Sequence, residues 1–190
     1  MDTSEFWTVI EAARSASAAK KSFAEALVDE LATRTKDDIL RYQERFDEAH
    51  GAVYRWDVWA AAYLIGGGCS DDSFMDFRAG LIGLGREWYE RAAACPDVLA
   101  EHPAVTAAAE AHSDEVVFNE TVNYAASYAF ERVAADGGDF YEAWNEYRTS
   151  RNASPEAASE GMGEDFDFDD PDEMRRRLPL LAALYLGNTP

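Results

Sequence analysis

VYRWDVWAAAYLIGGGCSDDSFMDFRAGLIGLGREWYE, residues 53–90, is the stretch that decides the fold. From Trp59 to Ile65 it is apolar throughout, with none of the period-two alternation of a half-buried strand. Gly66, Gly67 and Gly68 then interrupt it; glycine adopts positive φ readily and continues a helix poorly, so the chain is expected to reverse there. Ser70 or Asp71 can cap the helix that follows, and the acids at 71 and 72 complement the positive end of its dipole. Within it Phe74, Phe77, Leu81 and Trp88 hold helical spacing. Folding the two helices antiparallel about residue 67 sets Trp56 near Ala79 and Gly80, and Trp59 near Asp76 and Phe77. The same register puts Asp57 across from Arg78 as a cross-helix ion pair. Neither GxxxxGK[ST] nor GxGxxG occurs, so the glycines read as a capped turn and not as a phosphate cradle.

Outward from this hairpin the spacing stays helical. Phe6, Ile10 and Ala13 form a stripe behind the possible caps Thr3 and Ser4. Phe23, Leu27 and Leu31 form a second, and Thr35 with Asp38 opens a third that Gly51 is expected to end. The longest pattern runs from about Asp114 to Ala135, closed by Gly137-Gly138, after which Asp139 can cap a short helix holding Phe140, Trp144 and Tyr147. Residues 149–171 are rich in Ser, Gly, Pro and acid and read as a mobile or loosely packed loop. Leu180, Leu181, Leu184 and Tyr185 then form a final docking segment that Pro179 suits as its start. The expected architecture is all-α: one helical domain over residues 1–190, a bundle of about six to eight helices with a long acidic loop near the C-terminus.

The chain has 190 residues, 47% of them hydrophobic, enough to bury a core and to exclude wholesale disorder. Its net charge is −20, nearly two thirds of it after residue 100. Such a surface repels phosphate backbones and anionic headgroups, so neither direct nucleic-acid binding nor membrane binding is expected. No apolar run approaches a membrane span, no leader is visible in MDTSEFW, and Cys69 and Cys95 read as free thiols. A cytoplasmic location is the expectation.

The run YRWDVWAAAYLIGGGCSDDSFMDFRAGLIGLGREWYERAAACPDVLA resembles a bacterial family catalogued as domain of unknown function 4240. The family's motifs are an early FW, an RWDLWAAAYLI-like helix, a GGCSDD-F-DFR turn and helix, and an LIxxGRExYExAL-like continuation ending in P-D-L. They fall here on Phe6-Trp7, Arg55 to Ile65, Gly67 to Arg78, and Leu81 to Leu99. PLLAALYL resembles the family's C-terminal end, and Ala79-Gly80 stands where an Ala-Trp-like pair is expected. The resemblance implies a helical fold and carries no reaction.

Three sets of residues could carry chemistry. Cys69 lies just before a helix N-terminus, where a thiol pKa can fall, but adjacent acids oppose that effect. Asp57, Asp71, Asp72 and Asp76 could converge at the hairpin mouth for acid–base work, and Asp72 and Asp76 share a helix face at a spacing fit for an ion. Caps and ion pairs with Arg55, Arg78 and Arg86 account for them more simply, so no metal and no cofactor is expected. In Glu164–Asp170 acids alternate with Phe166 and Phe168: either a solvated loop with two Phe anchors, or a recognition strip in which Asp167 and Asp169 frame the rings for a basic apolar groove on a partner. It lacks the Gly and Glu of a calcium loop. The resulting expectation is a protein-binding module with Arg55, Arg78, Phe166, Phe168, Asp167 and Asp169 as contact residues. The alternatives are a small enzyme or metal-binding protein using Asp57, Asp71, Asp72 or Cys69, and an acidic DNA mimic.

Overall fold

A computed structural model describes residues 1–17, 21–114, 116–134, 137–151 and 161–187. Residues 152–160 of the expected acidic loop therefore lie outside the described residues. The chain is all-helical, and no strand occurs among the described residues. In order come α1 (Thr3–Ser17), α2 (Phe23–Leu31), α3 (Lys36–Ala52), α4 (Trp56–Gly66), α5 (Asp71–Gly83), α6 (Arg86–Ala94) and a 3-10 helix (Pro96–Glu101). Then follow α7 (Pro103–Ala111), α8 (Glu120–Asn123), α9 (Ala125–Val133), α10 (Phe140–Ser150), α11 (Pro171–Arg177) and α12 (Pro179–Tyr185).

Among the described residues twelve α-helices stand where about six to eight were expected, because stretches with continuous apolar spacing are broken by backbone geometry. The pattern through Phe77, Leu81 and Trp88 is cut at Gly85, whose φ is +90°, so Trp88 belongs to a separate helix. The long pattern from Asp114 opens as an irregular segment with Val117 at φ +75°, and a second break at Tyr124 separates α8 from α9. Gly51 does not end α3, which runs through Ala52 to its cap at Val53.

The caps explain the remaining boundaries. Asp2, and not Thr3 or Ser4, closes the start of α1: its carboxylate accepts the Glu5 amide while the Glu5 carboxylate accepts the Asp2 amide, each at 2.8 Å. Thr35 accepts from Asp38 N, Ser70 from Ser73 N and Asp139 from Glu142 N, as their spacing implied. Gly67 turns α4 back with φ +61°. Gly85 has no capping side chain, so Glu11 of α1 reaches across and accepts the Arg86 amide at 3.1 Å.

The core joins the inward stripes of α1, α2, α3 and α5, with Phe6, Ile10, Leu27, Leu31, Ile39, Phe77 and Leu81 fully buried. Helices α3 and α2 pack on α9, α5 packs on α8, and the 3-10 helix supports α12. α4 is apolar around most of its circumference: Val58, Ala60, Ala61, Ala62 and Ile65 are buried, while Trp56, Trp59 and Tyr63 form a second, half-buried stripe. That second stripe positions the candidate site.

Candidate functional site: the outer face of α4

The two tryptophans of α4 do not take the expected register against α5: the α5 ring stacked on Trp59 is Phe74, not Phe77. Trp56 stacks on Trp59 with centroids 5.4 Å apart, and Trp59 stacks on Phe74 at 4.6 Å, near the turn. Its indole Nε1–H donates to the Cys69 carbonyl at 3.0 Å and clasps the glycine turn. The expected neighbours of Trp56 are engaged elsewhere, because the Gly80 face of α5 is filled by the backbone of Val117.

The expected Asp57–Arg78 pair is not formed. Arg55 at the N-cap of α4 holds both Asp57 carboxylate oxygens at 2.7 and 3.0 Å and donates to the Ala93 carbonyl at 2.7 Å, tying α4 to the end of α6. Arg78 instead lies over the rings of Tyr54 and Phe74, 4.7 and 4.9 Å from their centroids, and donates to the His50 carbonyl and Nδ1 at 3.1 Å each. Burial lowers its pKa to about 10. The ring of His50 passes its Nε2–H to Met75 O at 3.0 Å, so it is a neutral imidazole with both nitrogens occupied.

Burial, with Arg78 beside it, lowers the His50 pKa from 6.5 to about 4. Between those values the unfolded chain binds the proton and the folded chain does not, so protonation favours unfolding. The contribution is full above pH 6.5 and is lost as pH falls toward 4. At this residue the drop from pH 7 to pH 5 costs about 2 kcal/mol. Urea unfolding at those two pH values is expected to give a slope shallower by that amount in His50→Gln; an unchanged slope would show that His50 titrates normally.

The hairpin carboxylates do not converge. Asp71 and Asp72 sit exposed in the first turn of α5. Asp76 faces α8, where it accepts from Asn123 Nδ2 at 2.9 Å; burial, then Glu120, then Asp72 raise its pKa. Among the described residues no three His, Cys, Asp or Glu side chains form a metal-holding group. Burial and the neighbouring Asp71 and Asp76 push the Cys69 thiol up to about 11, so it is not a poised thiolate.

The acid–aromatic segment lies on the outer stripe of α4, with the rings of Phe166 and Phe168 packed against this chain. Phe168 packs edge-on against Trp56 at 6.0 Å and against Tyr63 at 5.5 Å; Phe166 packs on Phe168 beneath the guanidinium of Arg177. The backbone joins in, with Trp56 N–H donating to the Met162 carbonyl at 2.9 Å. Asp169 accepts from the Tyr63 hydroxyl and raises its pKa. Asp167 accepts the Asp169 amide, and Asp170 accepts those of Asp172 and Glu173 at the start of α11. The described part of the segment is thus irregular yet packed by its rings, with its acids at the rim.

Beside this cover lies a groove of about 440 Å³ between α4, α7 and α12, lined by Tyr63, Leu64, Phe168, Leu184, Tyr185 and Leu186, with His112 and Asp114 at its margin. Leu181 and Ala182 of α12 dock inward, whereas Leu180, Leu184 and Leu186 are 48%, 37% and 40% exposed. Apolar residues on both sides of α12 are visible in PLLAALYL; which side meets solvent follows only from the fold. Among the described residues no helix is long and apolar enough to cross a membrane.

Neither a curated protein nor a solved structure matches the chain. PLLAALYL lies beyond the residues that a family comparison covers. A family model does match residues 1–132, more than half the chain and all of α1 to α8, and by that match the chain belongs to the family described as protein of unknown function (DUF4240).

Proposed function

We propose that this protein is a cytoplasmic single-domain interaction module that takes a basic amphipathic segment of another protein into the α4–α7–α12 groove. The observation that carries this reading is the company the groove keeps. Leu184 and Leu186 stand open to solvent in it, and Asp114 lines it. Asp169 and Asp167 lie beside Tyr63 at its edge. Contiguous exposed apolar side chains framed by one sign of charge favour a partner with apolar residues at helical spacing and lysine or arginine on its flanks. The chain's net charge of −20 would also speed the encounter with such a partner. The catalytic reading of the hairpin draws less support, since Arg55, Asp57, Asp76 and Arg78 are each engaged in bonds that hold helices together.

The test is a designed helical peptide of leucine and lysine, titrated into the full chain by calorimetry beside its leucine–glutamate counterpart. The lysine peptide is expected to bind, more weakly as salt is raised, and the glutamate peptide not to bind. Leu184→Ser with Leu186→Ser removes apolar contact without changing charge, and is expected to weaken binding by about tenfold or more while leaving the unfolding midpoint in place. Equal affinity in that variant would reduce the effect to bulk acidity and end the groove reading.

A further inference from the structure

A second cavity, of about 320 Å³, opens between α3, α9 and α10 on a different face from the groove. Its walls are aromatic: Phe46, Tyr124, Phe140, Tyr141 and Trp144 all line it. Burying these rings would be the ordinary outcome, yet Tyr141 is 55% exposed, Tyr124 is 37% exposed, and Tyr128 beside it is 45% exposed. Exposed large aromatics are thus concentrated around one opening.

The polar groups in this cavity have a common character. Asp47 stands at the mouth with one carboxylate oxygen accepting from Gln43 Nε2 at 2.7 Å. Asn123 spends an amide N–H on Asp76, and the hydroxyl of the buried Ser127 donates to the Tyr124 carbonyl at 2.9 Å. His50 spends its Nε2–H on Met75 O and its Nδ1 on Arg78. What these side chains retain for a guest is mainly acceptor capacity, with one negative charge. Arg148 of α10 is the nearby cation and Glu48 the nearby anion acting on Asp47, but among the described residues no lysine or arginine closes an ion pair on it.

We propose that this cavity binds an alkylated ammonium ion, its carbon-bound hydrogens against the rings of Tyr124, Tyr141 and Trp144 and its charge balanced by Asp47. Ring faces attract a desolvated cation through their quadrupoles, and an ammonium whose hydrogens are replaced by methyl groups loses little hydration on entering such a box. A neutral apolar guest would leave the Asp47 charge unused, and an anion would meet it unfavourably. The cavity's volume is at the small end of ligand sites, which suits a head group and not a large ring system.

The probe is choline, titrated into the full chain and followed by amide chemical-shift changes, with 3,3-dimethylbutanol as the uncharged compound of the same shape. Choline is expected to shift amides of α3, α9 and α10 and to bind about tenfold or more tightly than the alcohol. Asp47→Asn and Tyr141→Ala, both at exposed positions, are each expected to weaken choline by about fivefold or more with the unfolding midpoint unchanged. Trimethyllysine, blocked at both ends, is run alongside: tighter binding than choline assigns the cation to a modified protein side chain, and weaker binding assigns it to a free small molecule. Equal binding of choline and the alcohol, choline binding insensitive to Asp47→Asn or Tyr141→Ala, or no shifts in these helices up to about 10 mM would each overturn the proposal.

Discussion

Gly80→Ala is expected to destabilise the protein by about 3 kcal/mol or more, although the same change in an ordinary helix is stabilising. A Cβ built at Gly80 falls 1.3 Å from the carbonyl oxygen of Val117 and 2.5 Å from its carbonyl carbon. Both are backbone atoms, so no rotamer change relieves the contact. The segment they belong to is pinned. Asn119 N–H donates to the Asp76 carbonyl at 3.0 Å, and the Phe118 ring packs on Phe77 at 5.2 Å and sits over Gly66. Val117 itself holds a positive φ, which a β-branched residue adopts only under constraint. An alanine must therefore push the 116–119 backbone off α5 or bend α5 itself. Gly51→Ala is the control, since Gly51 is helical and a Cβ added there would meet nothing within 4 Å. It is expected to gain about 0.5–1 kcal/mol from helix propensity alone. Urea unfolding of both variants reads the result as opposite signs; a gain at both positions would mean that residues 116–119 do not rest on Gly80.

Gly80 also marks where reading the sequence stops being sufficient. Periodicity identified the helical regions up to Trp88, from Asp114 to Tyr147 and at the C-terminal end, but not the 3-10 helix, α7 or α11, each of which opens at a proline. Local caps such as Thr35, Ser70 and Asp139 were visible because donor and acceptor lie within three residues of each other. The register of α4 against α5 was not legible. Ala79 and Gly80 looked like sockets for an indole, yet the socket at Gly80 is filled by the backbone of residues 116–119, which share no pattern with it. Asp57 had two arginines in reach, Arg55 and Arg78, and took the one on its own helix start, where the side-chain geometry needs no second helix. The acid–aromatic segment left two readings open, and which rings its two phenylalanines meet, Trp56 and Tyr63 more than a hundred residues earlier, was not legible either. Sequence separation hid the contacts of Val117 with Gly80 and of Phe168 with Trp56, whereas the Asp57 pair is local and was missed by favouring the cross-helix partner.

Asp97→Ala is expected to cost about 3 kcal/mol and to weaken the groove as well as the fold. Asp97 is 6% exposed, and its two carboxylate oxygens accept the amides of Leu180 and Leu181 at 3.0 and 2.9 Å. These are the donors that α12 leaves open. Pro179 at its first position has no N–H, and Leu178 at its N-cap has no side-chain acceptor. A carboxylate from the 3-10 helix, more than eighty residues earlier, thus performs the capping that the local sequence cannot. Removing it leaves two part-buried or buried amides unpaired, and each costs about 1–3 kcal/mol. Asp97→Asn keeps an acceptor but not the charge and is expected to lose about 1 kcal/mol, so the order of the two variants separates a cap from mere space-filling. The bond also crosses the end of the family match: Asp97 lies within residues 1–132, while α12 and the aromatic cover of α4 lie beyond it. Because Leu184 and Tyr185 ride on α12, loss of the Asp97 cap is expected to lower affinity for the leucine–lysine peptide even at temperatures where the chain remains folded. If Asp97→Ala unfolds at the same urea concentration as the parent, the capping account of α12 is wrong; if only the peptide affinity survives unchanged, the groove does not depend on α12.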